Sequence, residues 1–269
     1  MRWLTAIPIY NEARHIRSVL DRLRPHAPDV LAVDDGSTDG SPEILAGIAD
    51  IRVVSHPHNR GYGAAIASAF RYAVEHRFDA LVTIDCDGQH DPTHIPTLIE
   101  TLEEGVDIVS GSRYLGEFDQ DTAAPGDRRQ VNRDITRDVN TRYGFRLTDA
   151  FCGFKAYRRS ALERLRATEP GWGMPLQVWV QAFRYGLSVR EIAVPRIYTG
   201  EERHFGGGLD DSEERLAYYR RVISAAEQEI LPKTVQVCEC DPPTVGGCRE
   251  GMRLCRCGRL IPSWAERPA

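Results

Sequence analysis

Residues 80–91 read Ala80-Leu81-Val82-Thr83-Ile84-Asp85-Cys86-Asp87-Gly88-Gln89-His90-Asp91. Ala80–Ile84 is a short apolar run bounded by polar residues, the pattern of a buried strand. It ends on two carboxylates at i and i+2, where an extended strand bends into a turn. A pair of carboxylates can hold a hard divalent cation, with phosphate oxygens completing the shell. On its own Asp-x-Asp is also a common solvated turn. The neighbouring segments decide between the two.

Upstream, Trp3–Ile7, Val30–Val33 and Arg52–Ser55 read as strands of the same kind, and Asp107–Val109 follows downstream. Between them apolar residues recur at helical spacing: Ala13, Ile16, Leu20 and Leu23; Ile66, Phe70 and Ala73; Ile95, Leu98 and Leu102. Asp39 or Ser41 is placed to cap a further helix with Pro42 in its first turn. Strands alternating with helices at this pace predict an α/β fold, a Rossmann-like, mostly parallel sheet flanked by helices on both faces. In such sheets ligands bind outside the carboxyl ends of the strands. Pro8, Tyr10 and Glu12 follow the first strand, Asp34 the second, Asn59 and Gly61 the third, and Asp85, Asp87 and Gln89 the fourth. Polar groups therefore converge on one edge of the sheet. The first strand is not followed by GxGxxG, and the chain has no GxxxxGK[ST], so neither a dinucleotide fingerprint nor a P-loop is present.

Further on, residues 116–130 read as a loop and a helix is expected from about Asp127 to Tyr143. Phe151–Tyr157 reads as a strand, Ser160–Arg166 as a helix, Pro175–Tyr185 as a helix and Ser188–Pro195 as a strand. Gly206-Gly207-Gly208 marks a turn or loop, and Leu216, Tyr219, Ile223, Ala226 and Ile230 line one face of a last helix. Periodicity ends at Pro232. We divide the chain into a domain over 1–232 and a short Cys-rich C-terminal tail over 233–269.

Composition agrees. The 269 residues carry 34 Lys+Arg against 39 Asp+Glu, a net charge of −5, which argues against a nucleic-acid partner. A chain of this length buries its core without disulfides. It has no apolar run long enough to span a membrane, and its start lacks a signal-peptide pattern, so a cytoplasmic protein is expected. Five of the seven cysteines lie in the tail: Cys238, Cys240, Cys248, Cys255 and Cys257. Cys238, Cys240, Cys255 and Cys257 are a candidate zinc set, although C-x-C is less usual than C-x₂-C; a tail without fixed structure and a disulfide-bonded one are the alternatives.

The stretches Ile7-Pro8-Ile9-Tyr10-Asn11-Glu12, Val33-Asp34-Asp35-Gly36-Ser37-Thr38-Asp39-Gly40, Asn59-Arg60-Gly61-Tyr62-Gly63, Asp85-Cys86-Asp87-Gly88-Gln89-His90-Asp91-Pro92, Gly111-Ser112-Arg113-Tyr114 and Asp149-Ala150-Phe151-Cys152-Gly153-Phe154 occur in one order. In this the chain resembles the family-2 glycosyltransferases of GT-A fold, above all their polyprenyl (dolichyl) phosphate mannosyl- and glucosyltransferase branch. The resemblance implies an inverting transfer of a sugar from a UDP- or GDP-linked donor to a polyprenyl phosphate, with Mg²⁺ or Mn²⁺, by an enzyme at the cytoplasmic membrane surface. It implies that Pro8, Tyr10, Glu12 and Asp34 hold the nucleoside, with Asn59 and Gly61 beside them. Asp85 and Asp87 are then the metal site, Gln89 assists at the diphosphate, and Arg113 serves catalysis.

Arg128, Arg129 and Arg133 are candidate contacts to the acceptor phosphate. Asp149 is the candidate general base, or a group that positions the acceptor. Arg203 is a candidate for closing over the diphosphate, but the Gly-Ser-Lys loop of the relatives is absent here. Gln177 stands where relatives commonly carry Glu. The alternatives are a family-2 transferase with a soluble saccharide acceptor, a nucleotidyltransferase, and a non-catalytic nucleotide-sugar-binding protein with a metal-binding tail. A nucleotidyltransferase would want a Gly-rich basic loop after the first strand, which Pro8–Glu12 is not.

Overall fold

The structure is a computed structural model. It describes residues 1–198 and 205–230, and two short strands in the tail. Arg203 and all five tail cysteines, with the zinc reading that rests on them, lie outside the described residues.

Seven strands form the main sheet: β1 (Trp3–Ile9), β2 (Val30–Asp34), β3 (Arg52–Ser55), β4 (Ala80–Thr83), β5 (Ile108–Ser112), β6 (Lys155–Arg158) and β7 (Val189–Ala193). Their order is β3-β2-β1-β4-β6-β5-β7. Every pairing is parallel except the two made by β6, which runs against both β4 and β5. The helices are α1 (Ile16–Leu23), α2 (Ser41–Ala46), α3 (Tyr62–Glu75), α4 (Ile95–Glu103), α5 (Gly126–Tyr143), α6 (Arg159–Leu162), α7 (Met174–Arg184) and α8 (Ser212–Ile230). In the tail β8 (Met252–Leu254) pairs antiparallel with β9 (Leu260–Pro262).

Both faces of the sheet are apolar because alternate strand residues point to opposite sides. Leu4, Ala6, Leu31, Val33, Leu81 and Tyr157 pack with α3, α5, α7 and α8. Ile7, Ile9, Ala32, Val82, Val109 and Ala156 pack with α1 and α4. A sheet buried on both faces has its edges and strand ends left for ligands, and the carboxyl ends are where the polar residues gather.

Three boundaries differ from the sequence reading, each for a visible reason. The strand expected over Phe151–Tyr157 begins only at Lys155, because the chain turns before it: Phe151 N donates back to Asp149 Oδ1 (3.1 Å). The helix expected over Ser160–Arg166 is the single turn α6, because side-chain amides from α7 take the next backbone donors. Gln181 Oε1 accepts from Arg166 N (2.7 Å), and Gln177 Oε1 from Thr168 N (2.9 Å) and Glu169 N (3.0 Å). Finally, the N-cap position of α2 is held by Gly40, not by Asp39 or Ser41, although Asp39 Oδ1 still accepts from the N–H of Ser41, the first residue of the helix (2.9 Å).

Candidate active site

A cavity of about 760 Å³ opens over the carboxyl ends of β1, β2, β4 and β5. At the end of β1 the chain turns sharply. Asn11 adopts a left-handed φ of 56°, which asparagine tolerates better than most residues. Its side-chain oxygen accepts from Thr38 N (2.8 Å), while Asn11 N donates to Ser37 Oγ (3.0 Å) and Glu12 N to Ser41 Oγ (3.0 Å). The turn after β1 is thus stitched to the turn after β2, and Pro8, Tyr10 and Glu12 face the cavity from it.

Of the two aspartates that end β2, Asp35 lines the cavity and Asp34 does not. Asp34 Oδ1 is spent on Ser37 N (3.0 Å), inside its own turn. Asp35 accepts from Arg60 N (3.0 Å) and Gly61 N (2.7 Å), holding the turn that presents Asn59 and Gly61 to the cavity. Gly61 has φ +99°, and a Cβ there would sit 2.4 Å from the Pro170 carbonyl oxygen, so only glycine fits.

Asp85, Asp87 and Gln89 also line the cavity. Asp87 Oδ1 accepts from Gln89 N (2.9 Å). Asp85 Oδ1 accepts from the Tyr62 hydroxyl (3.2 Å), and its Oδ2 lies 3.3 Å from His90 Nε2. Burial and the Asp85 charge push the Tyr62 phenol well above its usual range, so it stays a donor. Behind Asp85 runs the backbone of Gly153, whose carbonyl accepts from Thr83 Oγ1 (2.7 Å). The buried Lys155 ammonium donates to the adjoining Cys152 carbonyl.

The other side of the cavity is cationic. Arg113, Arg128 and Arg215 line it, whereas Arg129 and Arg133 do not. Arg129 instead places its guanidinium 4.7 Å from the ring of Tyr114, a lining residue, and Arg133 donates to Gln130 Oε1 (2.7 Å) on the outside of α5. Arg113 is oriented by Asp149, which is fully buried and does not reach the cavity. Nε and Nη2 of Arg113 donate to its two oxygens (2.7 and 3.0 Å), and Asn132 Nδ2 adds a third bond (2.7 Å). Burial alone would push the Asp149 carboxyl up; the Arg113 charge and these hydrogen bonds outweigh it and hold it well below the usual carboxylate range. A carboxylate so held is a poor proton acceptor, and what the pair presents to the cavity is the guanidinium.

Some lining groups were not picked out in the sequence. Trp172 stacks on Tyr62 (centroids 5.1 Å apart) and meets Phe205 edge-on (5.7 Å), and its Nε1 donates to the Phe205 carbonyl (3.1 Å). Arg128 and Arg215 lie over the Phe205 ring at 5.0 and 4.6 Å. Arg215 falls on the helical face of α8, where a charge reads as solvated, yet it is buried and donates to Asp127 Oδ2 (2.6 Å). Only the Gly run beside Phe205 hinted at this wall. Gln177 is not on the cavity; besides the loop amides it holds, its Nε2 donates to Thr168 Oγ1 (2.6 Å) and Glu229 Oε2 (3.1 Å), a brace between α7 and α8. Cys152, buried with its thiol pushed up to about 12 by burial and the nearby Asp149 charge, is no nucleophile.

Comparison with known proteins agrees with this architecture. The family model described as Glycosyl transferase family 2 matches residues 5–166. The chain is 32% identical over 220 residues to the undecaprenyl-phosphate mannosyltransferase of Micrococcus luteus, covering 77% of this chain and 89% of that protein. It is 29% identical over 217 residues to the polyprenol monophosphomannose synthase of Mycolicibacterium smegmatis, covering 76% and 79%. Among solved structures, glucosyl-3-phosphoglycerate synthase from Mycobacterium tuberculosis, crystallised with Mn²⁺, UDP and glucosyl-3-phosphoglycerate, superposes with a TM-score of 0.62 at 23% identity, over 85% of this chain and 79% of that one. That likeness speaks to the fold. With the family match covering more than half its length and every motif at the carboxyl edge of a GT-A sheet, the chain belongs to glycosyl transferase family 2 and is a glycosyltransferase.

Proposed function

We propose that this glycosyltransferase moves a sugar from a UDP- or GDP-linked donor onto a polyprenyl phosphate, with Mg²⁺ or Mn²⁺. The observation that carries the reading is that one cavity gathers four carboxylates (Glu12, Asp35, Asp85, Asp87) and, across from Asp85 and Asp87, the guanidiniums of Arg113, Arg128 and Arg215, with Arg14 beside Glu12. The donor set fits a cation that arrives with its substrate. Asp85 and Asp87 supply hard oxygen ligands, and among the described residues no three His, Cys, Asp or Glu side chains cluster to hold a metal alone. When bound there, the cation neutralises charge on the leaving diphosphate.

The chain's own groups do the rest. Pro8, Tyr10, Glu12, Asn59 and Gly61 frame the nucleoside, and Gln89 lies beside the diphosphate. An acceptor phosphate oxygen attacks the anomeric carbon; its bond forms as the bond to the diphosphate breaks, and the nucleoside diphosphate leaves with the electron pair. A phosphate is already anionic, so the transfer needs no general base, in keeping with Asp149 facing Arg113 rather than the cavity. Arg113 and Arg128 bind the acceptor phosphate, and Asp149 acts through Arg113 as a positioning residue. Arg129 acts at most through Tyr114, and Arg133 lies outside the site. In this reading the cavity mouth meets the lipid phosphate at the membrane surface; among the described residues no helix is long and apolar enough to cross a membrane.

The test is to supply UDP- and GDP-hexoses, Mg²⁺ or Mn²⁺ and a short polyprenyl phosphate, and to look for a lipid-linked sugar. Asp87→Asn should cut its formation by about a hundredfold. Hydrolysis without a lipid product, or transfer only to a soluble saccharide, would overturn the acceptor assignment.

A further inference from the structure

Behind the cavity wall Asp35, His56 and Ser68 form a buried line, at 2%, 7% and 4% exposure. His56 Nδ1 lies 2.6 Å from Asp35 Oδ1, and Nε2 lies 2.9 Å from Ser68 Oγ. The same three groups activate a serine in hydrolases. Here Ser68 is embedded in α3, and neither it nor His56 lines the cavity, so no substrate reaches the hydroxyl. The end of the line that meets the cavity is Asp35.

Asp35 is heavily committed. Its Oδ1 also accepts from Arg60 N and its Oδ2 from Gly61 N, the turn that carries Asn59 and Gly61. One carboxylate thus sets the position of a stretch of cavity wall. The carboxylate can only accept, so the proton of that hydrogen bond sits on His56 Nδ1 and the ring fixes Asp35. Ser68 fixes the far nitrogen, and His56 N donates to the Asp34 carbonyl (2.8 Å), which ties the ring's own backbone to the end of β2.

We propose that His56 is a positioning residue for donor binding: through Asp35 it holds the 59–61 turn in the shape that receives the nucleotide. This rests on the reading that this side of the cavity takes a nucleoside diphosphate. Asparagine at position 56 keeps an amide N–H near the place of Nδ1, whereas glutamine reaches toward Ser68 and gives up Asp35. UDP and GDP are titrated calorimetrically with Mg²⁺, and donor KM and kcat are measured. His56→Gln should weaken nucleotide binding and raise donor KM about tenfold with kcat nearly unchanged, and His56→Asn should recover most of the loss. Ser68→Ala, which keeps the Asp35 contact, should weaken binding about two- to threefold and serves if His56→Gln does not fold. Unchanged nucleotide affinity in His56→Gln, or equal loss in both His56 variants in step with melting temperature, would overturn the proposal. A wild-type protein that binds neither UDP nor GDP would instead overturn the donor reading on which it rests.

Discussion

Gly153 leaves no room for a side chain beside Asp85: a Cβ there would meet Asp85 Oδ2 at 2.4 Å. The atom in the way is the end of a side chain, so Gly153→Ala should leave the fold intact and turn the carboxylate aside. We expect turnover to fall at least about tenfold while thermal stability moves by less than about 1 kcal/mol, read from initial rates and a melting curve. Arg113 is the opposite case. Removing it in Arg113→Met leaves Asp149 buried without its cation, which should cost about 3–5 kcal/mol in urea denaturation. Asp149 has a depressed pKa when folded, so the stability it contributes is complete above its unfolded value and is lost as pH falls toward the folded one. In Arg113→Met burial pushes the uncompensated carboxyl up, so the variant regains stability by taking a proton above about pH 4 while wild type loses its own below it; the gap should therefore narrow steadily as pH falls, and a pH-independent gap would contradict the pairing. At this scale the sequence was only partly legible. Asp85 and Asp87 could be picked out because they end an unmistakable strand. The sequence points to Asp34 for the nucleoside and passes over Asp35, which is the one on the cavity, because adjacent residues at a strand's end face different ways and one step of register exchanges them. The partnership of Arg113 with Asp149 crosses 36 positions and leaves no periodic trace.

Among the elements, α7 shows how a departure from a family pattern acquires a structural meaning. Gln177 uses both ends of its amide, the oxygen on Thr168 N and Glu169 N and the nitrogen on Thr168 Oγ1 and Glu229. A carboxylate could keep the first pair and would repel Glu229. Gln177→Glu should therefore lower stability by about 1–2 kcal/mol and bring no gain in turnover, since the position is off the cavity; a faster enzyme would show that the side chain reaches the substrate. Helices were readable from their period, and the central parallel strands from short unbroken apolar runs, because a sheet buried on both faces has no polar face to alternate with. The turn over 149–154 was not, because Phe151, Cys152 and Phe154 are apolar for reasons of packing and look like strand. Nor does any residue in Lys155–Arg158 tell which way β6 runs.

For the whole molecule, the proposed function fills the cavity with two partners, a cation and a nucleoside diphosphate. UDP or GDP at a hundred times its Kd should raise the unfolding free energy by about 2.7 kcal/mol when Mg²⁺ or Mn²⁺ is present, and by much less in chelator. An equal thermal shift with and without the cation would separate nucleotide binding from Asp85 and Asp87.

The reversed strand β6 has a consequence for how the chain is made. β4 and β5 follow one another in sequence yet never touch as strands; β6 is wedged between them. As the polypeptide leaves the ribosome, each therefore waits with a bare hydrogen-bonding edge until residues 155–158 emerge. Unpaired edges of apolar strands invite pairing with other chains. The gap between β4 and β5 closes with the same insertion that sets Gly153 behind Asp85, and the outer edge of β5 stays bare until β7 (Val189–Ala193) follows.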